Sequence, residues 1–223
     1  MSSSDRDTAV RRPVTAVPFR LHASVTCPSP AELAMSLAWE LGELDGDRVE
    51  RGLTALGTAI HAELETSAEA QLRALGEAVT NAVLAARLNG GPHELLIDKA
   101  LERGHAHPVL IAIILQEVGR RAGLPLGIVA GAHGHFLAHQ RLTAPLVLDP
   151  ATGHLTDADA LGTMHWQCGH QLAASLLDLL QPRYERAGDL TRELQIVRMR
   201  VTLPFDDMDE AERRLNRVTA RLN

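Results

Sequence analysis

A proline at position 108 is followed by seven apolar residues, Val109, Leu110, Ile111, Ala112, Ile113, Ile114 and Leu115, before the polar Gln116 and Glu117. Proline suits a first helical turn, where its missing N–H would be unpaired in any case. Arg120 and Arg121 complement the negative end of the dipole, and Gly123 ends the helix. A helix that is apolar on every side has no solvent face, so the rest of the chain must be built around it. The run is far too short to span a bilayer.

Three strand candidates follow, at 126–130, 136–141 and 146–148, separated by Gly- or Pro-containing turns. An antiparallel sheet laid on the buried helix is the economical arrangement, so the expected class is α+β. Upstream, Ser29 and Pro30 open a helix with Leu33, Leu37 and Leu41 at four-residue spacing. Gly46 and Asp47 separate it from a second helix with Val49, Leu53, Leu56, Ile60 and Leu64 on one stripe. A third carries Leu72, Leu75, Val79 and Val83. Asn89-Gly90-Gly91-Pro92 breaks the pattern, and a short helix over 93–102 closes at Gly104. Beyond Gly153 the pattern is helical again, near 157–162, 169–181, 187–202 and 206–221. The expected organisation is a disordered arm over 1–17, a domain with N-terminal helices over 18–165, and C-terminal helices over 166–223.

Composition narrows the function classes. The 223 residues are 45% hydrophobic and 22% charged, enough for a full core without disulfides or a structural metal. Asp and Glu outnumber Lys and Arg, 28 to 22, and no basic stripe interleaves with aromatics, so nucleic acid is not the expected partner. The N-terminal MSSSDRDTAVRRPV lacks the apolar segment of a signal peptide, and the two cysteines, Cys27 and Cys168, make no disulfide framework. A cytoplasmic protein without a membrane partner is the expectation.

The chemistry centres on the start of the apolar helix. In folds of the cysteine-protease kind a thiolate sits at a helix N-terminus, a histidine on a following strand takes its proton, and a carboxylate orients the histidine. Here the second strand begins at His135 and the third ends at Asp149. The stretch 96–156, with its helix end ALERG, the exit RRAGLP, the strand GHFLAH and the hairpin LDPATGHLT, resembles the transglutaminase-like superfamily, and within it the SirB-type bacterial branch. The resemblance implies a cysteine-protease-like domain with N-terminal helices before it and tetratricopeptide-like helices after it. It carries His135 and Asp149 onto the histidine and aspartate of the triad. Aligning the RRAGLP exit puts Pro108 where active members have their cysteine, and proline cannot be a nucleophile.

The expected function is therefore a non-catalytic domain that binds a peptide, protein or small ligand in the old protease cleft. One alternative is a hydrolase or acyl-transfer enzyme using His135 and Asp149 with water or a bound metal; another is an interaction module acting through its helices. No cofactor is expected in the first reading. For a metal, the candidates are His105, His107, His133 and His135, two His-x-His pairs whose alternate residues point the same way on extended chain, as zinc and other transition-metal ligands do. His165, Cys168 and His170 also have ligand-like spacing, but with only three candidates at a helix start an ordinary interhelical turn is the preferred reading. If the triad residues act together, His135 and Asp149 are expected within hydrogen-bond reach, roughly 2.6–3.2 Å.

Overall fold

The computed structural model describes residues 17–42, 44–61, 67–81, 83–204 and 208–221. The expected arm therefore lies outside the described residues up to position 16, as does Leu64. Four helices come first: α1 (Phe19–Ala23), α2 (Pro30–Glu40), α3 (Gly46–His61) and α4 (Ala68–Thr80). Ser29 caps α2 by accepting from the Glu32 N–H, and Ser67 caps α4 by accepting from the Ala70 N–H. A two-residue strand β1 (Ala85–Ala86) follows. Then come a 3-10 turn (Pro92–Leu95), α5 (Ile97–Arg103) and β2 (His105–Ala106), which pairs parallel with β1. Gly104 caps α5 in the left-handed conformation that releases the chain into β2.

The apolar segment forms α6 (Pro108–Arg121), with every residue from Pro108 to Leu115 buried. At its far end Glu117 is also buried and accepts from both Arg120 and Arg121 at 2.7–2.8 Å. The two guanidiniums outweigh the effect of burial and hold its carboxyl below the ordinary range. One face of α6 lies under an antiparallel sheet of β3 (Leu126–Gly131), β4 (Gly134–His139), β5 (Leu146–Leu148), β6 (Leu155–Asp157) and β7 (His165–Gln167), in the order β6-β5-β4-β3-β7. On its other sides pack α2, α3 and α7 (Gly169–Ala187). The chain ends in α8 (Leu190–Val201) and α9 (Met208–Ala220). Helices around a small antiparallel sheet make this an α+β fold, and among the described residues no helix is long and apolar enough to cross a membrane.

Several local expectations are corrected. Val83 is 53% exposed, because α4 is capped at Asn81 and the chain has already turned. The helix expected over 93–102 is broken at Leu96, which is extended. The helix expected over 157–162 is the end of β6 followed by a 3-10 turn, and β7 was not foreseen. α7 runs through Pro182 to Ala187: the proline removes one backbone hydrogen bond, but Leu172, Leu176, Leu177, Leu180 and Tyr184 keep this helix in the core.

Candidate functional site

The N-terminus of α6 and the adjoining ends of β4 and β5 meet at one cavity of about 290 Å3. His107, Pro108, His133, His135 and Asp149 line it, with Leu88, Val109, Phe136 and Leu161 among its apolar walls. Topology brings them together. β2 delivers His107 to the start of α6. The β3–β4 register, with Gly131 opposite Gly134, leaves only Ala132 and His133 in the turn before His135. Leu148 pairs with Leu137, so Asp149 emerges at the end of the sheet where β4 begins.

His107 is the N-cap of α6, and its Nδ1 accepts from the Val109 N–H at 3.4 Å. Burial, then the Arg183 guanidinium, then His135 lower its pKa from 6.5 to about 4, so it is neutral at physiological pH. Burial also lowers His135. The Nε2 of His135 stands 3.4 Å from Ser175 Oγ on α7, a residue the sequence reading did not single out.

Asp149 departs from expectation. Its Oδ1 accepts from the Ala151 N–H at 2.8 Å and its Oδ2 from the Thr152 hydroxyl at 3.0 Å. A short acidic side chain bonding the backbone two residues on is an Asx turn, which Pro150 and Gly153 in the same loop favour. The turn is held down by α4: a side chain at Gly76 would collide with the Gly153 carbonyl, and Gly153 has φ +75°. Among the described residues no hydrogen bond joins Asp149 to His135. The carboxylate shapes the cavity floor instead of orienting the imidazole.

Of the other predicted ligands, His133 shares the cavity lining with His107 and His135, and the rest lie outside that lining. His133 is exposed in its turn. His105 faces away from the cavity group toward the buried Glu94, with Nδ1 3.8 Å from Oε1. His165 is exposed on β7, Cys168 caps α7 with its N–H on Gln171 Oε1, and buried His170 bonds the Ala23 carbonyl. Among the described residues no three or more His, Cys, Asp or Glu side chains are grouped to hold a metal ion.

A second unforeseen residue, Arg183, is buried on α7. Its Nε, Nη1 and Nη2 donate to the carbonyls of Gly90, Leu179 and Leu88 at 2.8–2.9 Å. It thereby ties the cavity lip, where Leu88 is 61% exposed, to α7. Ser175, Leu179 and Arg183 recur every four residues, so the bonds to His135 and to the Leu88 and Gly90 carbonyls come from one side of α7. The only trace in the sequence is an arginine at a position that continues this helix's inward stripe.

A sheet packed on a buried helix whose N-terminus faces a histidine at a strand start is the layout of the cysteine-protease-like class. The model of the transglutaminase-like superfamily matches residues 47–187, more than half of the chain. The chain belongs to the transglutaminase-like superfamily. The match ends with α7, the helix that carries Ser175 and Arg183. A solved structure similar to this chain is the crystal structure of menin that reveals the binding site for Mixed Lineage Leukemia (MLL) protein. It has a TM-score of 0.48 and 13% identity, over 91% of this chain and 60% of that one. The chain thus spans about 60% of the length of that protein. No curated protein matches the chain.

Proposed function

We propose that this chain is a non-catalytic member of the superfamily, of the SirB-type branch, that binds a peptide segment or small ligand in the cavity at the start of α6. The observation carrying this reading is that the helix end is chemically closed. Pro108 lines the cavity where the nucleophile of active members aligns, and it has neither a thiol nor a backbone N–H. The next N–H, that of Val109, is taken by His107 Nδ1. A covalent acyl transfer needs both a nucleophile and donors for the developing oxyanion, and this helix end supplies neither.

A hydrolase using His135 and Asp149 is the second reading. It is disfavoured because Asp149 bonds its own turn and, among the described residues, makes no hydrogen bond to His135, so it is not placed to orient that ring. The cavity remains suited to binding, since it combines apolar walls with a few polar groups. Two measurements test the choice. The purified chain, given glutamine peptides with amine donors, or peptide and ester substrates, is expected to show no turnover that His135→Ala abolishes. A panel of short peptides, followed by NMR, is expected to shift the signals of Leu88, His107, His135 and Phe136. His135-dependent turnover refutes the reading, as does a panel that shifts only signals on α8 and α9.

A further inference from the structure

Proton accounting at the two imidazoles fixes more than their neutrality. The Ser175 hydroxyl lies 3.0 Å from the carbonyl oxygen of Gln171, one helical turn back, and that oxygen can only accept. That carbonyl is the nearer of the two groups that could take the serine proton. The same Oγ lies 3.4 Å from His135 Nε2, and an oxygen that has given its proton away can only accept. With the serine proton on the nearer carbonyl, His135 carries its own proton on Nε2 and a bare lone pair on Nδ1. For His107 the backbone runs the same logic. The Val109 N–H points at Nδ1, so Nδ1 is the lone pair and Nε2 carries the proton. Among the described residues neither His107 Nε2 nor His135 Nδ1 has a hydrogen-bond partner.

We propose that Ser175 of α7 is the positioning residue of His135, and that together with the Val109 N–H on His107 it sets one donor and one acceptor at the cavity for an uncharged amide-type group. For its ligand this rests on the binding reading above. A carbonyl oxygen meets the His107 N–H, and an amide N–H meets the His135 lone pair. The two rings themselves offer no charge to an ionic ligand. The Arg183 guanidinium is directed to three carbonyls. The Asp149 carboxylate is turned to its own loop, where each oxygen accepts one hydrogen bond. Two neutral imidazoles of fixed and opposite polarity discriminate by hydrogen-bond sense rather than by charge. The role expected of Asp149 thus falls to a hydroxyl on α7.

The experiment reads ring-nitrogen chemical shifts of the full chain, which separate protonated from lone-pair nitrogens. The expected result is a protonated Nε2 and a lone-pair Nδ1 on both His107 and His135. Ser175→Ala is expected to convert His135 to a mixture of tautomers while leaving His107 unchanged, and Ser175→Thr to restore the single form. In the same samples N-methylacetamide is expected to perturb both rings where acetate and methylammonium do not. Its affinity should fall about five-fold in Ser175→Ala, the worth of one neutral hydrogen bond. A proton on His135 Nδ1 in the native chain, or an unchanged tautomer in Ser175→Ala, overturns the positioning role. Equal or better binding of acetate or methylammonium overturns the ligand assignment. Peptides that still bind in the cavity alongside either result leave the binding reading intact and remove only this inference. If no peptide binds, that reading falls, while the ring nitrogens still decide the role of Ser175.

Discussion

His107 links the cavity to acid stability, and His107→Asn isolates the link. In the folded chain the His107 pKa is about 4, against 6.5 in the unfolded one, because burial, Arg183 and His135 all disfavour its charged form. The unfolded chain therefore binds the extra proton first. Full stability is present above about pH 6.5 and is lost as the pH falls from there toward 4, levelling off below. Taken at face value, excluding a proton over that window amounts to about 3 kcal/mol. His107 is only half-buried, so solvent screening brings this to about 1.5 kcal/mol at pH 4.5. Asparagine keeps the capping bond to the backbone and removes the titration. Urea unfolding at about pH 7.5 should find His107→Asn within about 1 kcal/mol of the native chain. At about pH 4.5 the variant should have lost about 1.5 kcal/mol less than the native chain has. Some acid loss remains in both, since burial also lowers His135, and burial with Arg141 lowers His139. An Asn variant that loses as much as the native chain between the two pH values refutes the assignment.

Arg183→Met should cost about 3–5 kcal/mol in urea unfolding, because it frees three carbonyls and strips the buried Glu94 of its countercharge. Adding Glu94→Gln should return about 1 kcal/mol, and strict additivity of the two changes would exclude the coupling. Gly76→Ala should cost about 1–3 kcal/mol by driving a methyl into the Gly153 carbonyl, and should move the Asp149 amide signal. In contrast, Gly57→Ala on α3 meets nothing within 4 Å and should stabilise by about 0.5–1 kcal/mol; equal effects at the two glycines would contradict the packing argument. Pro108→Cys should put a thiol of lowered pKa at the α6 N-terminus, alkylated by iodoacetamide faster than the exposed Cys27. A rate no higher than that of Cys27 would mean that this helix end does not activate a nucleophile.

What the sequence revealed follows the length over which each signal is repeated. α6 was legible because seven successive apolar residues admit one environment, and Ser29 and Pro30 marked the start of α2 by chemistry rather than by pattern. β5 was found residue for residue between its turns. β6 and β7 were not, because Leu155-Thr156-Asp157 and His165-Trp166-Gln167 are edge strands of three residues with no buried alternation to betray them. Val83 continued a helical stripe by spacing alone, and Asn81 had already ended the helix. At the site, the sequence placed His135, Asp149 and Pro108 near one another because a helix start and two strand ends must meet. It missed the direction of the Asp149 side chain, although Asp-Pro-Ala-Thr-Gly is a turn sequence whose aspartate is drawn to its own backbone. Ser175 and Arg183 were invisible because their partners lie 40 to 95 residues away.

These observations bear on how far the cavity stands from catalysis. A thiol at position 108 would restore a nucleophile and, with it, a backbone N–H. The Val109 N–H would still be occupied by His107, so the helix dipole would be partly quenched and one oxyanion donor absent. His135 would meet the thiol with the correct lone pair, but its Nε2 proton would rest on a serine hydroxyl, which cannot stabilise an imidazolium as a carboxylate does. Freeing Asp149 for that role would mean dismantling an Asx turn that α4 clamps through two apposed glycines. Three independent parts of the site, the cap, the orienter and the turn, are each satisfied in an arrangement that acyl transfer would have to break. A remnant that had merely lost its cysteine would leave the other groups poised and unpaired, at the cost of buried polar groups without partners. Here each Asp149 oxygen accepts a bond from its own turn, and among the described residues the ring nitrogens without a partner are His107 Nε2 and His135 Nδ1, the donor and acceptor proposed above for an uncharged ligand.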